Sequence, residues 1–346
     1  MKKIRNLTIA SIIIVYIVIL AGGTVRMTGS GMGCPDWPKC FGYYIPPTDI
    51  TELEWQPQRS FKKGQVIIKD ETLQVAAKDF TTSETFSENN WNLYTKHDYA
   101  TFNVWHTWIE YINRLFGALS GLAVLIMALF SFSQWKHSKR ITLLSWLSVF
   151  LLGFQAWLGA TVVYSVLSPI RITIHMVMAL VILAVLLYLL YYSQPKLRTF
   201  SISIGYTNLL IFALLLTIVQ VVLGTQVRQF VDEQVDIVGY QAKSLWLDNP
   251  DLYFYAHRSF SILIFLVNLA LWFFNKKHSY GLKKINMVFF LVILEAATGI
   301  AMYYFDFPFL SQPLHLIIAS LLFGYQFYVV LQAWKRHRPD FITRQV

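Results

Sequence analysis

The sequence predicts an all-α polytopic membrane protein, with eight transmembrane helices forming two tandem four-helix bundles related by a pseudo-two-fold repeat. Three observations predict it. Six long stretches of the 346-residue chain carry no charge, and two more carry only one or two. The basic residues gather on one side of those stretches. Four landmarks recur in the same order along the two halves.

Hydrophobic residues make up 55% of the chain and charged residues only 14%, against about 25% charged in soluble domains. The charge-free runs fall at 7–25, 141–170, 172–195, 201–227, 259–275 and 307–334. A hydrocarbon core of roughly 30 Å is crossed by about 20 helical residues, so each run qualifies. The first span is read at 5–25. Lys2, Lys3 and Arg5 before an apolar run resemble a signal peptide. The run instead continues into Gly22-Gly23-Thr24-Val25-Arg26 without a small-residue cleavage pattern, so it reads as a retained helix.

The first outer loop, 27–103, opens on Gly29-Ser30-Gly31-Met32-Gly33-Cys34-Pro35 and continues as mixed polar sequence with apolar pieces such as Val66-Ile67-Ile68. Loops of this length are usually functional or partly folded. Ordered structure is expected there, with no assignment for 41–103. The remaining spans read 104–133, 141–165, 170–192, 203–226, 251–275, 284–305 and 308–334, with short inside connections.

A net charge of +10 invites a nucleic-acid partner, but its distribution argues for a lipid bilayer instead. The segments on the amino-terminal side hold Lys2, Lys3, Arg5, Lys136, Lys139, Arg140, Lys196, Arg198, Lys276, Lys277, Lys283, Lys284, Lys335, Arg336, Arg338 and Arg344, which is 16 of 29 basic residues. The short opposite connections offer only Arg171. This positive-inside pattern places both termini in the cytoplasm of a bacterial-type plasma membrane. Cys34 and Cys40 both lie in the first outer loop, on the oxidising side where disulfides persist. They read as a structural disulfide. A redox-active pair is the sharper alternative, although the spacing is not Cys-x-x-Cys.

The repeat rests on particular residues. Gln155-Ala156-Trp157-Leu158-Gly159 and Glu295-Ala296-Ala297-Thr298-Gly299 are 140 apart, as are His175 and His315. Asn113-Arg114 and His257-Arg258 match at 144, and the Gly-to-Arg26 segment matches Gly224 to Arg228 at about 202. The extra length of the outer loop accounts for the jump in offset. Residues 1–200 then form an amino-terminal four-helix half and 201–346 a carboxy-terminal one, both entering the membrane in the same orientation.

Of eight histidines, His97 is in the outer loop, and His137, His278 and His337 are at the cytoplasmic face. Four lie within spans: His106, His175, His257 and His315. Ionisable groups there default to functional hypotheses. His175, His257 and His315 sit one to two turns below the outer surface, at 1.5 Å per residue. Histidines facing each other across a bundle ligate haem iron axially, and His257 with His315 is the clean pair. The bland reading is interfacial histidines bonded to carbonyls. Arg258 adjoins His257 as a propionate partner.

The first half has Asn113 where the second has His257, and Glu110 where it has Phe254. Glu110, Asn113 and Arg114 share a helical face, with His106 four residues before Glu110. Glu110 reads as an acid–base or substrate-orienting group, or as half of an ion pair with Arg114 that holds the bundle. Gln155 and Glu295 face inward if the histidines do, as pocket groups or interhelical bonds. Trp37, Trp105, Trp108 and Trp146 read as interfacial anchors or pocket lining.

The Gly29–Cys40 segment with its Gly-Cys-Pro-Asp-Trp-Pro run, the Ile109-Glu110-Tyr111-Ile112-Asn113-Arg114 helix start and the four-plus-four repeat resemble the haem A synthase family over nearly the whole chain. The resemblance implies oxidation of the C8 methyl of haem O to the formyl of haem A by successive hydroxylations. It implies a haem b on His257 and His315, and substrate haem near Glu110 and His175. It implies supply from haem O synthase, delivery to a haem-copper oxidase, and an electron donor that the sequence does not identify. A homo-oligomer is compatible with it.

The family has Glu-x-x-His-Arg where this chain has Glu110-x-x-Asn113-Arg114. His106 would then substitute, or iron would be five-coordinate through His175, or the site would be inactive. The rival classes are a non-catalytic cytochrome b relaying electrons, which substrate turnover distinguishes, and a haem chaperone or transporter, for which no span is conspicuously broken.

Overall fold

A computed structural model describes residues 1–194 and 202–334. Lys196, Arg198, Lys335, Arg336, Arg338, Arg344 and His337 lie outside the described residues. Eight helices are long and apolar enough to span a membrane: α1 Lys2–Met27, α2 Val104–Ser131, α3 Lys139–Tyr164, α4 Pro169–Tyr192, α5 Ile204–Val238, α6 Leu252–Lys277, α7 Lys284–Tyr304 and α8 Ser311–Trp334. The starts follow local chemistry. Asn103 caps α2 by accepting from Trp105 N and His106 N, and Asp251 caps α6 by accepting from Phe254 N. Pro169 occupies the first turn of α4, where its missing N–H costs nothing.

Each odd helix packs along the even helix that follows it, and α1, α4, α5 and α8 meet in the middle. The central core holds Ile12, Val15 and Ile19 of α1, Leu183 and Leu186 of α4, Leu214 and Val221 of α5, and Phe323 of α8. Several polar groups inside are paired across helices, which lipid favours: Gln326 Nε2 donates to Asn268 Oδ1 at 3.1 Å, and Tyr206 Oη donates to Leu271 O at 2.9 Å.

Seven spans end within a few residues of the sequence reading. α5 is the exception, running to Val238 rather than 226. Beyond Arg228 the helix is amphipathic. Val231 and Val235 pack with Trp246 and Phe307, while Glu233 and Asp236 are exposed. The charges that end a membrane span do not end a helix, and Gly239 at φ 85° does.

The long segment between α1 and α2 folds. Strands β1 Ser60–Phe61, β2 Val66–Lys69, β3 Thr72–Ala76, β4 Phe80–Thr81 and β5 Trp91–Leu93 make two antiparallel sheets, β1–β4 and β2–β3–β5. Asp70 and Glu71, both at positive φ, close the β2–β3 hairpin as a two-residue turn that suits strand twist. Side chains alternate with period two. Val66, Ile68, Leu73 and Val75 face a cluster with Cys34, Cys40 and Phe41, while Ile67 and Ala76 face Phe61 and Trp91.

Candidate functional site

In the carboxy-terminal helices the ring centres of His257 on α6 and His315 on α8 are 6.3 Å apart, at 67° between planes. That spacing leaves room for one metal bonded at about 2 Å to a nitrogen of each ring. Small residues on the neighbouring helices make the space. A Cβ on Gly224 of α5 would lie 3.1 Å from His257 Cε1, and one on Gly299 of α7 would lie 3.6 Å from His315 Cε1. Gln220 Nε2 donates to His257 O at 3.0 Å.

Thr298 orients His315. Its hydroxyl donates to Glu295 O at 2.9 Å, so it accepts from His315 Nδ1 at 2.8 Å. The ring proton then sits on Nδ1, and Nε2 keeps its lone pair for a metal. Glu295 Oε1 approaches Nε2 at 3.1 Å. His257 Nδ1 and Glu295 Oε2 are buried without partners. Two opposed imidazoles, one with a buried unpartnered nitrogen and the other with Nε2 facing only a side-chain carboxyl, fit a haem held between them.

The amino-terminal helices repeat half of this. Gln155 Nε2 of α3 donates to His175 O on α4 at 3.0 Å, a Cβ on Gly159 would meet His175 Cε1 at 3.4 Å, and His175 Nδ1 is buried without a partner. On α2, Asn113 turns toward Gly22 of α1, whose Cβ would lie 3.9 Å from its Oδ1, and that oxygen is also buried and unpaired. Asn113 thus faces α1 as His257 faces α5. The imidazole of His106 makes no hydrogen bond among the described residues, while its carbonyl lies against Gly33, where a Cβ would come within 2.3 Å.

Glu110 is buried and has both oxygens engaged. Oε1 pairs with Arg114 Nη2 at 2.5 Å, and Oε2 accepts from Cys34 N at 2.8 Å. Arg114 also donates to Asp36 O at 2.7 Å, Lys39 O at 2.8 Å and Cys34 O at 3.0 Å. Glu110 and Arg114 therefore grip the segment closed by the Cys34–Cys40 disulfide. Inside that segment, Asp36 Oδ2 accepts from Gly42 N while Oδ1 is buried and unpaired. Burial pushes the Asp36 carboxyl above the usual carboxylate range, against the lowering effects of the Gly42 N–H and Arg114. From above, Tyr94 Oη donates to Pro35 O at 3.0 Å, and His97 Nε2 lies 2.8 Å from the same oxygen.

Arg258 is exposed, its guanidinium over the rings of Tyr255 and Phe254 at 5.5 and 5.9 Å. His137 and His278 are exposed near the α2–α3 and α6–α7 connections. Trp105 is largely exposed, and Trp37 and Trp146 partly so. Sequence reasoning did not reach Gln220, Thr298 or the arginine contacts of α1 with α5. Gln220 had a signal: Gln155-x-x-x-Gly159 and Gln220-x-x-x-Gly224 share one spacing, which Glu295-x-x-x-Gly299 follows.

A family model described as cytochrome oxidase assembly protein matches residues 5–327. Among curated relatives, the "Heme A synthase" of Alkalihalophilus pseudofirmus is 24% identical, over 95% of this chain and 97% of its own length. That of Bacillus licheniformis is 25% identical over 95% and 96%. That of Bartonella tribocorum is 24% identical over 86% and 83%.

Proposed function

The chain belongs to the cytochrome oxidase assembly protein family, and on that premise we propose that it is a haem A synthase, an oxidoreductase that converts the C8 methyl of haem O to the formyl of haem A by successive hydroxylations. The observation that carries the reading is the opposed His257–His315 pair, 6.3 Å between ring centres, in a chain that aligns with synthases over 95% of its length. We assign residues 201–346 a resident haem b on those two histidines, and residues 1–200 the substrate haem.

When bound, haem supplies the electron and oxygen chemistry that no side chain here can. The chain's own residues bind, orient and exclude water. Gln220 and Gln155 fix the backbone carrying His257 and His175. Thr298 sets the tautomer of His315. In the substrate site His175 would offer haem iron one imidazole, and Asn113 stands where a second would be, which would leave room there for an oxidant. Glu110 and Arg114 hold the disulfide-closed segment beside that site, so their contribution to turnover runs through the position of this segment.

Haem O synthase is the expected supplier and a haem-copper oxidase the recipient; the reaction also draws on an electron donor. We place both termini in the cytoplasm and the haem sites in the outer leaflet of a bacterial-type plasma membrane, on the distribution of basic residues.

Extraction of haem from membranes that contain haem O synthase, with and without this chain, tests the activity by chromatography with mass detection. New haem A, or its hydroxylated intermediate, is the expected result. Only haem B and haem O from haem-loaded protein under air would instead indicate an electron-relaying cytochrome b, a reading favoured by Asn113 alone.

A further inference from the structure

Two arginines sit together on the seam between α1 and α5. Arg26 is in the last turn of α1, four residues beyond Gly22, and Arg228 is on α5, four residues beyond Gly224. Four residues are one turn, about 6 Å along the axis. Both arginines therefore stand one turn beyond the glycines that face Asn113 and His257, toward the end of the bundle that carries the strands. Asp232 joins them. Its Oδ2 accepts from Arg26 Nε at 3.0 Å and Nη2 at 2.6 Å, and its Oδ1 lies 2.7 Å from Arg228 Nη1. Arg228 Nη2 donates to Arg26 O at 2.8 Å.

The charges there do not balance. Two guanidiniums share one carboxylate. The nearby Glu233 and Asp236 are exposed on the later turns of α5, and Glu233 is engaged with Gln229. Arg228 Nη1 is buried and, although close to Asp232, lies off hydrogen-bond geometry. Two like charges held side by side at a membrane boundary call for a second anion, and the planar fork of arginine matches a carboxylate best. Arg258, by contrast, is exposed, its guanidinium over aromatic rings.

We propose that Arg26 and Arg228 form a carboxylate site that takes a propionate of the haem held by His257 and His315, with Asp232 keeping the two guanidiniums together. The inference rests on the haem reading above. It gives α1, a helix of the amino-terminal half, a direct hold on the haem of the carboxy-terminal half.

The test titrates the full-length chain, purified in detergent from haem-deficient cells, with haem B and with its dimethyl ester, whose propionates carry no charge. The low-spin absorption of a bis-imidazole haem reports ligation, and the dissociation constant reports the anchor. Wild type is expected to bind the free acid about tenfold or more tightly than the diester. Arg228→Gln and Arg26→Gln are expected to lose that preference while keeping the low-spin spectrum and the diester affinity, which also shows that they are folded. Arg228→Lys is expected to keep part of it. A low-spin wild type with no preference, or glutamine variants that retain it in full, overturns the inference and leaves the histidine assignment standing. A wild type that gives no low-spin spectrum with either form overturns the histidine assignment, and the inference falls with it.

Discussion

At His315 one hydroxyl decides which ring nitrogen is free. Thr298 has a single proton and gives it to Glu295 O, so His315 Nδ1 must donate. Thr298→Val keeps the shape and removes the acceptor. The bound haem is then expected to lose affinity by about tenfold, in the range seen when outer partners of metal-ligating histidines are removed, with a shifted reduction potential. Haem retention through purification and a redox titration check this; unchanged values would leave Thr298 a packing residue. His175, His257 and His315 were legible in the sequence because a histidine in an apolar span is costly enough to need a reason. Thr298 was not, because its partner sits on another helix and nothing along the chain marks a threonine that faces a histidine; Gln220 was marked only by the spacing to Gly224 that it shares with Gln155 and Gly159.

Among the elements, α2 and the disulfide-closed segment act as a unit. Asp36 is held inside it with one oxygen unpaired and its pKa raised by burial. The sign follows from linkage: a carboxyl with a raised folded pKa binds more protons folded than unfolded, so its contribution worsens as pH rises through that interval and stays unfavourable above it. Asp36→Asn removes the ionisation. The variant is expected to melt about 2–4 °C higher than wild type near pH 8, with the gain shrinking as pH falls toward the ordinary carboxylate range. Thermal unfolding followed across that range checks it, and a gain independent of pH would remove ionisation as the cause. The spans were readable from their charge-free runs, since apolar length is what a membrane selects. The far end of α5 was not, because its amphipathic turns answer to a different environment from the apolar turns below. The strands of the outer segment were hidden by their brevity; two of the five have only two residues.

Across the whole molecule, odd helices supply a glycine and, in α3 and α5, a glutamine, while even helices supply the histidine. Where α1 meets α2 the pattern thins: Gly22 remains, but Val18 stands four residues before it and Asn113 replaces the histidine. That difference was visible in the sequence as one substitution; that Asn113 faces α1 as His257 faces α5 was not. If Asn113 leaves the substrate iron with one protein ligand, Asn113→His is expected to add a second low-spin haem signal and, since the family pattern has His there, to leave haem O oxidation within about twofold of wild type. Electron paramagnetic resonance and product analysis read the two effects separately, and a spectrum without the new signal would mean that position 113 does not face iron.

The grip of Glu110 and Arg114 on residues 34–40 also imposes an order in time. The segment leaves the ribosome some seventy residues before the side chains that hold it. In the orientation proposed above, it crosses the membrane and waits outside, with its backbone groups bonded to water, until the second span arrives. Synthesis of α2 therefore completes two things at once, a transmembrane hairpin and the seating of an outer cap, and an arrest between them leaves the cap exported but unseated.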